Sequence, residues 1–281
     1  MCNLAIALHK KGETVTGSDA VFDESLTAIM EANGLSTEGE GWFSDKINDQ
    51  LDAVVLGASI KKDNPELAKA QELSLEIVSY PELLFDLNKY KTRVVVAGSQ
   101  NRARVTAMIL HVLEYNDVDV DYVVTSANGI HLTEANDFIV IEGGDGPSSV
   151  IDTTPQFHKY QPNIALLTDI ELKEGDFEIY AEQYGVFVDS IVKGGSITYN
   201  EEDAEVKKRV ESSENPIRKF PFGTPEHQEA DGQVFLDTPD GEMPLEISVV
   251  DDLRSMAGAK WICQQMGVDE VEFYEAIATF Q

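Results

Sequence analysis

Residues 93–107 read RVVVAGSQNRARVTA. The apolar run through Val94, Val95, Val96 and Ala97 has the composition of a strand buried on both faces. It stops at Gly98-Ser99, and the residues that follow favour a helix. Strand, glycine turn and helix start make up the layout of a phosphate-binding loop, in which backbone N–H groups and the helix N-terminus hold an anion. The layout is present, but the usual side chains are not: no Gly-Lys-Ser/Thr follows the turn.

Working outward from this stretch, strands and helices alternate. On its N-terminal side, NLAIALHKK (3–11) reads as an amphipathic helix closed by Gly12, and ETVTGSD as a short strand ending at Ser18-Asp19. LTAIMEANG reads as a helix, DAVVLGAS (52–59) as a strand, and NPELAKAQELS as a helix opened by Pro65. EIVSYPELLFDL adds a strand and a helix, and the polar NKYK at 88–91 marks a domain boundary. On the C-terminal side come the helix AMILHVLEY, the strands DYVVTS, DFIVIEGG and NIALLTDI, the helix IYAEQYGVFVDSIV and the strand SITYN. Strands separated by helices of this length predict right-handed crossovers and a mostly parallel sheet covered on both faces. QVFLDTPDGEMPLEI then predicts a hairpin turning at Pro239-Asp240-Gly241, and LRSMAGAKWICQQMGV and DEVEFYEAIATF predict closing helices.

Composition narrows the function. The 281 residues carry 51 acidic against 21 basic side chains, a formal charge of −30. That charge opposes binding to nucleic acid or to an anionic membrane by phosphate neutralisation. The acids are spread along the chain, as on a solvated surface. Cys2 and Cys263 lie far apart without ligand-spaced neighbours, so neither a disulfide framework nor a zinc site is indicated, and a cytoplasmic setting is expected. No signal peptide or membrane-spanning run is legible.

Taken in combination, NLAIALHKKG with TGSD, DNPELAKAQELSLEIVSYPELL, RVVVAGS, AMILHVL, FIVIEG, IDTTPQFHKYQPNIALLT, ITYNEED and AGAKWICQQMGV resemble the Mur ligase family. The likeness is to the branch holding UDP-N-acetylmuramate-alanine ligase and the muramyl peptide recycling ligase. The resemblance implies an α/β chain with a Rossmann-like N-terminal domain of the nucleotide-sugar type over 1–90, its first strand missing. A P-loop-like central domain of the ATPase type over 91–281 follows, with the family's C-terminal ligase domain absent. It also implies a chemistry: ATP and magnesium phosphorylate a carboxylate, and an amine attacks the acyl phosphate.

The residues matching the family's chemistry depart from it. Where a loop like G-T-H-G-K-T-T-T is expected, the chain has Gly98, Ser99, Gln100, Asn101, Arg102, Ala103, Arg104 and Val105. The planar fork of Arg102 does not replace a compact ammonium between phosphates. Ala103 lacks the hydroxyl that would ligate magnesium, and Asn101 adds a Cβ where glycine permits close approach. At the family's E-G-D-E-Y, the chain reads Glu142-Gly143-Gly144-Asp145-Gly146. The Asp-His pair expected after NIALLT is met by Lys173 and Glu174, and the adenine-side stretch by Ser248 to Ser255.

Four degraded positions between retained core segments predict a Mur-ligase-like pseudoenzyme with no catalytic residues. In this reading the chain is a binding or scaffold paralogue that pairs with a protein partner or a second copy and has weak affinity for a sugar nucleotide. Gly98, Ser99, Arg102 and Arg104 then form a vestigial phosphate loop and a candidate anion site. The alternative is a working ATP-dependent UDP-N-acetylmuramate (peptide) amino-acid ligase of peptidoglycan synthesis or recycling with a rebuilt site. That alternative uses ATP and Mg, with Glu142 and Asp145 as the metal ligands.

Overall fold

A computed structural model describes the chain except for residues 23, 37–38, 126–128, 172–174, 176, 231–232, 239–240, 246–249 and 281. The N-terminal part runs through α1 (Cys2–Lys10), α2 (Glu24–Ala32), β1 (Val54–Leu56), α3 (Pro65–Glu72), β2 (Ile77–Ser79) and α4 (Tyr80–Asn88). The start of α3 follows from local chemistry: the Asn64 side chain accepts from the N–H groups of Glu66 and Leu67, and Pro65 occupies the first turn. Ser79 and Glu82 close a capping box at the start of α4.

A seven-stranded sheet follows, in the order β5-β4-β6-β3-β7-β8-β9. Its strands are β3 (Thr92–Ala97), β4 (Asp121–Val123), β5 (Ile130–His131), β6 (Phe138–Gly143), β7 (Ile164–Leu167), β8 (Ser196–Asn200) and β9 (Arg218–Phe222). Every neighbouring pair is parallel except β4 with β5. The helices α5 (Arg102–Tyr115), α6 (Phe177–Ser190) and α7 (Ala204–Ser212) are crossovers of this sheet. β10 (His227–Ala230), β11 (Gln233–Thr238) and β12 (Gly241–Leu245) form an antiparallel ribbon, and α8 (Val250–Gln265) and α9 (Glu270–Ile277) close the fold.

Strand β3 is central because its side chains alternate between two cores. Val94 and Val96 join Met108, Ile109, Val112, Leu253, Ile262 and Phe273 on the face covered by α5, α8 and α9. Val95 and Ala97 face Phe157, Tyr184, Phe187 and Val188 on the opposite face, where Leu4 of α1 and Leu84 of α4 also pack. Arg93, at the entry to this strand, is 5% exposed. Its guanidinium donates to the carbonyls of Lys89 (2.8 Å), Lys91 (3.0 Å), Tyr160 (2.9 Å) and Gln161 (3.0 Å). The connector at 88–91 is thereby bound to the body of the sheet.

Several expectations need correction. ETVTGSD forms no strand; among the described residues it pairs through an isolated bridge between Asp19 and Gly41, and the two-stranded sheet of this part pairs β1 with β2. DAVVLGAS shortens to the three residues of β1. Helices and strands at α7, β5, β9 and β10 were not anticipated. The expected hairpin is present in the register Thr238↔Gly241, but its turn residues Pro239 and Asp240 lie outside the described residues. No helix among the described residues is long and apolar enough to cross a membrane.

Candidate functional site

The site stands at the C-terminal ends of β3, β6 and β7, where parallel α/β sheets place ligands. Gly98 turns the chain out of β3 with φ +155°, and a Cβ there would meet Thr168 Oγ1 at 1.9 Å. Only glycine lets β3 and β7 lie this close and still release the chain into α5. Ser99 Oγ lies 3.0 Å from the Tyr180 hydroxyl and accepts the Glu171 N–H at 2.9 Å.

Arg102 opens α5 and folds back on the loop, donating to the Gly98 carbonyl at 2.8 Å. Its Nε lies 3.4 Å from Glu142 Oε1 and its Nη1 3.7 Å from Asp145 Oδ1. The Nε contact is an ion pair without hydrogen-bond alignment, so this buried nitrogen has no hydrogen-bond partner. Glu142, at the end of β6, accepts from Thr125 N–H at 3.0 Å and Thr125 Oγ1 at 2.8 Å. Asp145 accepts from the Tyr180 hydroxyl at 2.9 Å, and Tyr180 in turn meets the Tyr184 hydroxyl at 2.9 Å. Burial pushes the Tyr184 hydroxyl far above the ordinary tyrosine range, which keeps it neutral.

The structure therefore brings Gly98, Ser99, Arg102, Glu142 and Asp145 together. It does not bring Arg104 with them. Arg104 points across to α8, where it grips Asp252 with Nε at 3.1 Å and Nη2 at 3.2 Å and lies over the Phe280 ring at 4.5 Å. Lys173, Glu174, Ser248 and Val249 fall outside the described residues. Asp169, which follows β7, was not singled out from the sequence. Its carboxylate accepts the N–H of Gln100 at 2.9 Å and of Asn101 at 3.1 Å. The signal for it lay in topology: β7 is the neighbour of β3, so the residue after β7 must meet the turn after β3.

These residues do not fit a magnesium triphosphate. A guanidinium stands against the two carboxylates that would hold the metal, Ala103 offers no hydroxyl, and a carboxylate already occupies two loop N–H groups. Among the described residues no group of three or more His, Cys, Asp or Glu is placed to hold a metal ion. Away from this site, a cleft of about 330 Å³ in the N-terminal part is lined by His9, Thr14, Thr16, Gly34, Ser36 and Lys46.

The model of the Mur ligase family, catalytic domain, matches residues 1–92. A UDP-N-acetylmuramate–L-alanine ligase of Streptomyces avermitilis is 29% identical over 266 residues, covering 90% of this chain and 54% of the relative. The chain is similar to the Mur ligase family. The corresponding ligase of Carboxydothermus hydrogenoformans is 25% identical, covering all of this chain and 62% of its own length. The chain thus spans about half to three-fifths of the length of these two relatives. Among solved structures, the UDP-N-acetylmuramate:L-alanyl-gamma-D-glutamyl-meso-diaminopimelate ligase of Neisseria meningitides superposes with a TM-score of 0.87 at 20% identity, covering 100% of this chain and 94% of that one. A murein peptide ligase of Psychrobacter arcticus superposes with a TM-score of 0.83 at 20% identity, covering 99% and 65%. The α/β Mur ligase fold with its mostly parallel central sheet is that of this chain.

Proposed function

We propose that this chain is a Mur ligase family member that works with UDP-N-acetylmuramate or its peptides as a binding or scaffold protein, without running ATP-driven ligation at its phosphate-loop position. The observation that supports this reading is the place of Arg102. Its guanidinium supplies, from within the chain, the positive charge that Glu142 and Asp145 would otherwise share with a metal. Arginine is always charged and makes fixed-fork contacts. A Lys-to-Arg change combined with loss of the Ala103 hydroxyl thus turns a transfer site into an internally neutralised one. The N-terminal cleft is the place this reading gives to the sugar nucleotide, and a protein partner or a second copy is the scaffold's other ligand.

The second reading is a working ATP-dependent ligase of peptidoglycan synthesis or recycling that uses ATP and Mg through a rebuilt site. The names of the relatives favour it over the scaffold, since those reported above are called ligases. The arrangement at Arg102 favours the scaffold. Calorimetric titration of the purified chain with ATP, with and without Mg²⁺, and then with UDP-N-acetylmuramate separates the two. The scaffold reading expects no magnesium-dependent ATP heat from a folded sample, with or without a sugar-nucleotide signal. Saturable magnesium-dependent ATP binding would overturn it in favour of the ligase.

A further inference from the structure

In a phosphate loop, successive backbone N–H groups and the start of the following helix converge on an anion. Here the loop keeps that backbone: Gly98 holds its positive φ, α5 begins at Arg102, and the N–H groups of Gln100 and Asn101 point to one place. What they point to is the Asp169 carboxylate, one oxygen to each N–H. The same carboxylate accepts the Thr168 hydroxyl at 2.6 Å. Opposite in sign, Arg102 stands against Glu142 and Asp145. The loop thus holds both charges of a metal–phosphate pair as side chains, the anion from the end of β7 and the cation from the start of α5.

We propose that Asp169 is the residue that excludes phosphate from this loop: its carboxylate is an internal anion seated on the N–H groups of Gln100 and Asn101. This rests on the scaffold reading above and deepens it, because the failure of the loop to take ATP then has an identified and reversible cause. The mechanism is electrostatic and steric together. An incoming oxyanion must displace a carboxylate tethered by its own backbone, and until it does so it meets a like charge at close range. Loss of the lysine alone would weaken phosphate binding, whereas Asp169 blocks it.

The test is pyrophosphate binding, without metal, to the full chain and to Asp169→Ala and Asp169→Asn, followed by calorimetry and by the amide resonances of Gln100 and Asn101. Freeing two N–H groups from a tethered carboxylate is expected to tighten pyrophosphate binding about tenfold or more in Asp169→Ala, the value of one charge-assisted hydrogen bond. Asp169→Asn, which keeps an oxygen for one N–H and so preserves the loop, is expected to give a smaller gain and carries the test if the alanine variant does not fold. The amide shifts at 100 and 101 must accompany the gain; tighter binding without them points to another surface and overturns the proposal. A folded variant that binds no better than the parent also overturns it, as does a parent that already binds as tightly as the variant. Parental Mg·ATP turnover, measured separately, would sink the scaffold reading. Failure of the variants in a parent that lacks turnover sinks this inference alone.

Discussion

Replacing Arg102 by Met removes the guanidinium while keeping most of the stem, and the cost can be worked from its contacts. Glu142 is 8% exposed, and its carboxylate loses the charge 3.4 Å away, while Asp145 loses one at 3.7 Å. Breaking a buried ion pair from one side costs about 3–5 kcal/mol. The lower end applies here, because Thr125 still donates to Glu142 from its N–H and hydroxyl and the Arg102 side chain is 22% exposed and partly screened. A destabilisation of about 3 kcal/mol corresponds to a fall in melting temperature of roughly 6–12 °C for a protein of this size. The companion variant Glu142→Gln removes the buried charge, so Arg102→Met/Glu142→Gln should recover about 2 kcal/mol of the loss as a coupling energy in urea unfolding. If Arg102→Met melts within a degree or two of the parent and the double variant shows no coupling, Arg102 is not held by these acids and the closed-site account is wrong.

Three other outcomes follow from the contacts. Gly98→Ala places a Cβ 1.9 Å from Thr168 Oγ1 at a φ of +155°, so it should cost at least about 3 kcal/mol or prevent folding, as read by circular dichroism and melting. Arg93→Met leaves five carbonyls, those of Asn88, Lys89, Lys91, Tyr160 and Gln161, without a guanidinium donor and should lower stability by roughly 2–4 kcal/mol in urea, with Arg93→Lys recovering only part of it. Hydrogen bonding to Lys159, assisted by Thr154, holds the Asp152 carboxyl down to about 2. The unfolded chain therefore takes up the proton first as pH falls: the stability from this pair is full above about pH 4 and is lost on the way down to pH 2. Lys159→Met should flatten that part of the acid-unfolding curve, and an unchanged curve would remove Lys159 as the cause.

Much of the sheet was legible because buried parallel strands are runs of Val, Ile and Leu, and FIVIEG and NIALLT could be little else. The elements missed are those whose stability comes from neighbours. The α7 helix buries Val206, Arg209 and Val210, a stripe with only two apolar residues in it, and its readable cue was the cap at Asp203, which accepts from Glu205 and Val206 N–H. Strand β9 contains Pro221, which argues against a central strand and is tolerated because β9 stands at the sheet edge. ETVTGSD has β-forming residues but, among the described residues, pairs only through the Asp19–Gly41 bridge, so propensity alone did not make a strand. Within the site, Arg102, Glu142 and Asp145 could be picked out as departures from a phosphate loop. That they neutralise one another, and that Asp169 sits on the loop amides, depended on β3 lying between β6 and β7. Arg104 shows the converse: its position in sequence put it on the loop, but its side chain faces away along the helix, toward Asp252 and Phe280.

The most direct test of the account is phosphate release by the purified chain with Mg·ATP, UDP-N-acetylmuramate or its peptides, and candidate amino acids. The closed site predicts a rate indistinguishable from a control without protein and unchanged by adding the amine. Steady, amine-dependent release by the parent chain would contradict it and establish a ligase working through Arg102.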